Sequence, residues 1–394
     1  MDGDKLRAWW WARQGLDGSF AGASPAAILE RAGWMRSVGG AGPYIGMQAR
    51  AGLSRAEVEA ALLAGEIQEL PSARGCTYVI PASDFAVALQ AGQGAGDDAD
   101  AAMARKYLNV TDEELERLHE DVQGALVSGP LDPRSIKDKL GPAVRSLGHE
   151  GKKRGLATTL PLALGWLQSH GLIRRIPIEG RLDRQRFVYT LWRPAPISRP
   201  MPPAELNAEL AKRFLRWTGP ARAAQFSVWA GLGIKNSKHA FAAIGAVVVS
   251  EDRYALPEDI DEIQATVVPA EPQVHFVGNL DGLFLHRREL AAHIHPEDHK
   301  RSILSEKGLQ AGGTLADLSN QAIVDRGRII GVWDYDLQRE ELAWRTFKPA
   351  TAAVKAAAER TEAYVRDQLG DMRSFSLDSP DTRGMRLAAI RSIE

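Results

Sequence analysis

Between Thr111 and Trp192 three helical segments are followed by two short strand-like runs joined by a basic turn, and no other stretch constrains the fold as tightly. Thr111 and Glu114 form a capping box ahead of Leu115, Leu118, Val122 and Leu126, an apolar stripe at helical spacing. Asp132-Pro133 opens a second short helix with Ile136 and Leu140 on one face. The third element, Thr158 to Ser169, carries Leu160, Leu162, Leu164, Trp166 and Leu167 and stops at Gly171. Ile173 to Ile178 and Phe187 to Trp192 then read as strands around a turn at Gly180.

Three helices and a hairpin in that order make a winged helix, in which the third helix enters a groove of DNA and the hairpin lies on phosphates. The charge pattern suits this: Lys152, Lys153 and Arg154 precede the third helix, and Arg174, Arg175, Arg181, Arg184 and Arg186 sit in or beside the hairpin. The same order recurs after the proline-rich stretch Pro194 to Pro203, which should be a stiff linker. Glu205 to Trp217 is amphipathic, Gly219-Pro220 breaks it, Arg222 to Trp229 and Asn236 to Ile244 supply two more helices, and Ala246 to Val249 with Arg253 to Leu256 gives a hairpin.

The first hundred residues read as helices followed by a strand. Ser24-Pro25 starts one helix, Ser54 with Glu57 caps another that Gly65 closes, Cys76 to Ile80 is β-rich, and Asp84 opens a further helix. Gly92 to Asp100 has no apolar periodicity and reads as a connection. In the last third, Val274 to Val277, Ala322 to Val324, Ile329 to Trp333 and Leu342 to Phe347 predict a small antiparallel sheet covered by a helix from Ala350 to Leu369. The tail from Asp371 has little apolar pattern and reads as loosely held. The predicted fold is therefore α+β: tandem winged-helix modules at 1–100, 101–200 and 201–262, and a C-terminal antiparallel β region at 263–394.

Lys+Arg 49 against Asp+Glu 50 gives a formal net charge of −1, so bulk charge argues against a nucleic-acid partner and only a local basic face can argue for one. The single cysteine, Cys76, excludes an internal disulfide and fits a reducing cytoplasm. No apolar run approaches the ~20 residues that span a bilayer, so no membrane association is expected.

Several phrases resemble one family. Arg7 to Leu16 resembles its opening helix, and Arg74-Gly75-Cys76-Thr77-Tyr78-Val79-Ile80-Pro81 resembles its Arg-Gly-Thr-x-His strand. Gly219-Pro220-Ala221 through Trp229-Ala230-Gly231-Leu232, Phe276 to Leu285 with Asp281, and Ala322 to Trp333 resemble three further segments, in order. Together they look like the AlkZ-like (YcaQ-type) DNA glycosylases. The resemblance implies tandem winged helices around double-stranded DNA, and hydrolysis of the N-glycosidic bond of alkylated or crosslinked purines by a monomer without metal or cofactor. One departure matters. The family's Gln-hydrophobic-Gln signature falls near Gly33-Trp34-Met35-Arg36-Ser37-Val38-Gly39-Gly40, where no glutamine stands, and Tyr78 replaces the strand histidine. Gln48 belongs to Met47-Gln48-Ala49-Arg50, which resembles the family's Trp-Ala-Arg helix.

Releasing a base builds positive charge on the sugar and requires a water held at the anomeric carbon, for which neutral amides can suffice. Candidates for the chemistry are Trp34 as a stacking ring, Arg36, Ser37, Tyr44, Tyr78 and Asp281, of which only Asp281 is an ordinary general base. Candidates for DNA contact are Arg50, Arg74, Lys152, Lys153, Arg154, Arg174, Arg175, Arg184 and Arg186. Gly39-Gly40-Ala41-Gly42 could let backbone approach DNA closely. His286, His293, His295 and His299 form a histidine-rich stretch whose structural reading outweighs a metal site. Trp9, Trp10 and Trp11 are consecutive, so one helix face cannot bury all three. Two other readings stay open: a DNA-binding regulator or lesion sensor without catalysis, and a protein-interaction scaffold.

Overall fold

The computed structural model describes residues 2–94, 97–305, 308–376 and 378–392. After helix α1 (Gly3–Arg13), one order recurs: helix, short strand, two or three helices, hairpin. Its first instance is α2 (Pro25–Ala32), β1 (Met35–Arg36), α3 (Gly42–Ala51), α4 (Arg55–Ala64), β2 (Ile67–Ser72) and β3 (Cys76–Pro81), with strands ordered β1-β3-β2. Helices α5 (Phe85–Gly92) and α6 (Asp97–Leu108) lead to the second instance. This comprises α7 (Asp112–Leu126), α8 (Pro133–Leu140), α9 (Gly148–Lys153), α10 (Leu160–Ser169), β4 (Ile173–Pro177) and β5 (Phe187–Leu191), with a Leu131–Tyr189 bridge where the short strand would be. The third is α11 (Pro203–Thr218), β6 (Ala221–Arg222), α12 (Ala223–Ala230), α13 (Ile234–Ala243), β7 (Val247–Ser250) and β8 (Arg253–Ala255), ordered β6-β8-β7.

Past α14 (Ile260–Ala265) come β9 (Val274–Val277), α15 (Gly282–Leu285), β10 (Ser302–Ser305), β11 (Gly308–Ala311), β12 (Gln321–Asp325), β13 (Arg328–Asp336) and β14 (Glu341–Thr346). Helix α16 (Ala352–Tyr364) runs into a wider turn at Val365–Leu369, and α17 (Pro380–Arg391) follows. The main sheet is antiparallel with order β14-β13-β12-β9. Helix starts follow their caps. Ser54 accepts from the Glu57 amide while Glu57 bonds back to Ser54, and Asp132 accepts from the Arg134 and Ser135 amides. Gly65 ends α4 in the left-handed region, φ 74°.

The apolar cores join segments far apart in sequence. One packs α2, α3 and α4 against the main sheet and α16, and another packs α5 and β3 against α11 and α12. Three expectations change accordingly. Trp9, Trp10 and Trp11 are all buried, because α1 is enclosed on several sides: Trp9 Nε1 donates to the Gly219 carbonyl at 2.8 Å, Trp11 Nε1 to Gln273 at 2.7 Å, and the Arg287 guanidinium lies 3.7 Å over Trp10. None of them is available to DNA. The stretch read as a connection at 92–100 is already helical from Asp97, while residues 95–96 lie outside the described residues. The tail is held rather than loose: Met372 and Ile390 are buried in two of the cores, and ion pairs add to them. Arg383 pairs with Asp371 at 2.5 Å, and Arg386 with Asp334 at 2.6 Å and Asp378 at 2.9 Å, fastening α17 beside β13 and β14.

The tip of the β4–β5 hairpin is held against other parts of the chain. Arg181 is clamped by Asp183 at 2.6 Å and donates to the Leu369 carbonyl at 3.0 Å, and the Leu182 amide donates to the Tyr44 hydroxyl at 3.1 Å. Arg181 and Leu182 thus hold the hairpin tip on the first unit and α16's extension, while Arg184, Gln185 and Arg186 beside them stay exposed.

Candidate active site

A cleft of about 510 Å³ opens between β1–β3, α12, the 279–288 segment and the C-terminal residues 375–386. Along a strand, alternate residues face opposite sides. Arg36 and Val38 accordingly line the cleft, and Ser37 points away, its hydroxyl donating to Glu69 at 2.5 Å. Arg175 donates to the other oxygen of Glu69 at 2.9 Å. Arg36 sits opposite Tyr78 in the β1–β3 register, with its guanidinium carbon 5.4 Å from the ring centre. Burial raises the Tyr78 phenol above its ordinary value, with Arg36 opposing. The hydroxyl is therefore neutral throughout the physiological range, which suits it to hydrogen bonding and not to taking a proton as a phenolate.

Of the six residues proposed for chemistry, Arg36 and Tyr78 meet in the cleft. The other four are placed elsewhere. Trp34 is 0% exposed, donates to Asp84 at 2.8 Å and packs on Trp217 and Trp229, so it cannot stack on an extruded base. Ser37 is sealed behind β1, and Tyr44 is buried beneath Leu182. Asp281 is fully buried, receives both Arg50 nitrogens at 2.8 Å and caps α15 by accepting from the Leu283 amide at 2.9 Å. Burial works against its charge, but Arg50 outweighs that and holds the carboxyl below the usual range. A carboxylate so paired is no general base.

The cationic candidates divide similarly. Arg50 belongs to that buried pair, and Arg175 is committed to Glu69. Arg174 is half-buried, 5.8 Å from the Trp192 ring. Arg74 lines the cleft and donates to the Val228 carbonyl at 3.2 Å. Lys152, Lys153 and Arg154 are exposed on or just past α9, where Arg154 lies 3.7 Å from Glu150. Arg184 and Arg186 are exposed on either side of Gln185. A Cβ on Gly39 would fall 2.6 Å from Gln185 Cγ, so this pair flanks the glycine-rich turn at the cleft's edge.

That turn does approach another backbone closely, but the backbone is its own. The Ser376 amide donates to the Val38 carbonyl at 2.8 Å, and the Ala41 amide to the Arg373 carbonyl at 2.7 Å. A Cβ on Gly40 would lie 2.3 Å from the Ser374 carbonyl oxygen, which only glycine avoids. The crossing segment delivers Phe375, 42% exposed, to the cleft wall. Nothing in the tail's pattern signalled this residue. Asn279 was also missed, although it adjoins the segment around Asp281. It lines the cleft with its amide nitrogen donating to the Leu318 carbonyl at 3.3 Å, and among the described residues its carboxamide oxygen has no hydrogen-bond partner.

The histidines have structural surroundings. His293 bonds the Gly327 carbonyl at 2.8 Å and receives Arg287 at 3.0 Å, and His299 bonds the Ile294 carbonyl at 3.1 Å. His286 is buried against Trp217 and Trp229. Among the described residues no three potential ligands cluster as a metal site would need.

The fold and cleft define a mixed α/β protein with small antiparallel sheets and an open basic-lined pocket between distant segments. The family model of AlkZ-like DNA glycosylases matches residues 29–375, and the chain belongs to that family. The solved structure of the Streptomyces sahachiroi DNA glycosylase AlkZ is similar, with a TM-score of 0.70, over 95% of this chain and 98% of that chain. At 19% identity, this second likeness is one of fold. None of the curated proteins compared with the chain matches it. Among the described residues no helix is long and apolar enough to cross a membrane.

Proposed function

We propose that the protein excises alkylated or crosslinked purines from double-stranded DNA by hydrolysing the N-glycosidic bond, with the cleft receiving the extruded nucleotide. The observation that carries this reading is the convergence of Arg36, Val38, Tyr78, Asn279 and Phe375 on one cavity of base-nucleoside size. An extruded base needs a ring to stack on and polar groups at its edge. Phe375 supplies the ring, in place of the enclosed Trp34. The Asn279 carboxamide oxygen accepts from the attacking water, doing what a glutamine amide would do in the family's signature, and Tyr78 hydrogen-bonds the sugar or base. The three recurrent units act as winged helices, and Arg184, Arg186, Lys152, Lys153 and Arg154 hold phosphates. The enzyme works as a cytoplasmic monomer.

The absence of the signature glutamines favours a second reading, a lesion sensor that binds without cutting. One experiment separates the two. Purified protein is mixed in excess with duplexes bearing single purine adducts, on ring nitrogens and on exocyclic atoms, and alkali-labile abasic sites are counted over time. Abasic sites that depend on Asn279 support excision. Saturable binding without any abasic site leaves only the sensor.

A further inference from the structure

We infer that the cleft is built for purine adducts that carry no charge, in preference to the cationic bases produced by alkylation at a ring nitrogen, and that Arg36 makes the distinction. This rests on the reading that the cleft excises bases.

The electrostatics of the lining carry the argument. Arg36 and Arg74 both line the cleft, and among the described residues neither has a carboxylate within ion-pair reach: Arg36 rests against the Tyr78 ring and Arg74 bonds a backbone carbonyl. The acidic group on the wall, Asp317, is paired with Arg288. The remaining cation there, Arg386, is neutralised by Asp334 and Asp378. Among the described residues the cavity therefore presents surplus positive charge and no free carboxylate.

Hydrolysis breaks the bond between C1′ and the purine N9, whose electron pair leaves with the base. Water oxygen bonds C1′, and the proton it loses is taken up by the departing base or by solvent. A purine alkylated at N7 is cationic before cleavage and leaves neutral, so it needs no help at the base and is repelled by an unpaired guanidinium. An uncharged purine, alkylated on an exocyclic atom for example, leaves as an anion that must be stabilised. A guanidinium fork matches the O6 and N7 acceptors of a guanine edge, and stabilising developing charge in this manner is worth about 10²-fold in rate. Alkylation at N7 removes one of those two acceptors. An arginine on β1, near where the resemblance places the family's neutral amides, thus favours one class of leaving group over the other.

The test is single-turnover excision from duplexes carrying either N7-methylguanine or O6-methylguanine, by the wild-type protein and by Arg36→Gln and Arg36→Lys. Affinities are measured in parallel on the same lesions made uncleavable by a 2′-fluorine. Comparing each variant with wild type on each lesion cancels the intrinsic lability of the two bonds. Arg36→Gln is expected to slow O6-methylguanine release by about 10²-fold while leaving N7-methylguanine release equal or faster. Arg36→Lys, with charge but no fork, should fall between. Equal slowing on both lesions, with a shallower salt dependence of binding, would make Arg36 a phosphate contact and overturn the inference. So would faster wild-type binding and release of the cationic lesion with no response to Arg36→Gln. Absence of abasic sites from either duplex is a different result, and it removes the excision reading itself along with what rests on it.

Discussion

Removing the carboxylate of Asp281 should destabilise the molecule without touching its chemistry. The Arg50 and Asp281 side chains are 1% and 4% exposed, and two 2.8 Å contacts join them. Asp281→Ala leaves Arg50 charged in a site with little water, which costs about 3–5 kcal/mol. It also deletes the cap on α15, for about 1 kcal/mol more. Unfolding entropy near 2.1 cal/mol/K per residue, over 394 residues, is about 0.8 kcal/mol/K. A loss of about 5 kcal/mol therefore lowers Tm by about 6 °C in scanning calorimetry.

The double variant Arg50→Met with Asp281→Leu removes both charges. What remains unsatisfied are the Gln14 side-chain oxygen, which Arg50 bonds at 2.8 Å, and the Leu283 amide, which Asp281 caps at 2.9 Å. At about 1 kcal/mol each, the double variant should lose about 2 kcal/mol and melt only 2–3 °C below wild type. Its excision rate at 20 °C should match wild type. If instead Asp281→Ala melts with wild type and forms no abasic sites, the carboxylate is a reacting group and the assignment of Asp281 to packing is refuted.

Phe375→Ala should slow excision about tenfold and leave duplex affinity unchanged, whereas Phe375→Trp should keep the rate; equal rates for all three proteins would deny the ring a stacking role. Asn279→Ala should cut the rate about 10²-fold with no change in Tm, and a variant that only melts earlier would mark Asn279 as structural. Arg184→Glu with Arg186→Glu should weaken duplex binding and flatten the log Kd against log salt slope by about 1.8, and an unchanged slope would remove both from the phosphate path. Burial pushes the His286 and His293 imidazoles down to about 3, so both are neutral in the fold. The unfolded chain takes up their protons as pH falls below its ordinary 6.5, so stability should be level above that pH and decline between about 6.5 and 3, by up to about 1.4 kcal/mol per pH unit for each histidine. His286→Leu should make the Tm-versus-pH curve shallower in that window, and parallel curves would contradict the assignment.

How far the sequence disclosed this architecture depended on the range of the interaction concerned. Caps such as Ser54 with Glu57, or Asp132 before Pro133, are satisfied within three residues, and the helices they start lie where the pattern placed them. Strands β1 and β6 have two residues each and so no periodicity to read, although each completes a sheet. Helix α17 was missed because ion pairs from Arg383 and Arg386 share in holding it, and its apolar face, Leu387 and Ile390, is too short to announce a helix. The Arg50–Asp281 pair spans 231 positions, and nothing local distinguishes either residue from a DNA contact or a base.

The candidate site fails to show in the sequence for the same reason, with one exception that could have been used. Its walls come from 36–38, 74–78, Trp229, 279–288, 304–305, 317–319 and 375–386, so no window of the chain contains it. Parity within a strand is local, however. Once Tyr78 is taken as a cleft residue from its place in the Arg74 to Pro81 phrase, antiparallel pairing puts Arg36 across from it and on the same side. Val38, two residues on, must then join Arg36, and Ser37 must turn away to a partner behind the sheet, which is Glu69. Choosing Arg36 and Ser37 together as reacting groups asked adjacent residues of an extended segment to face one substrate. The pleat forbids this, and it leaves the guanidinium as the polar group of β1 that a base can meet.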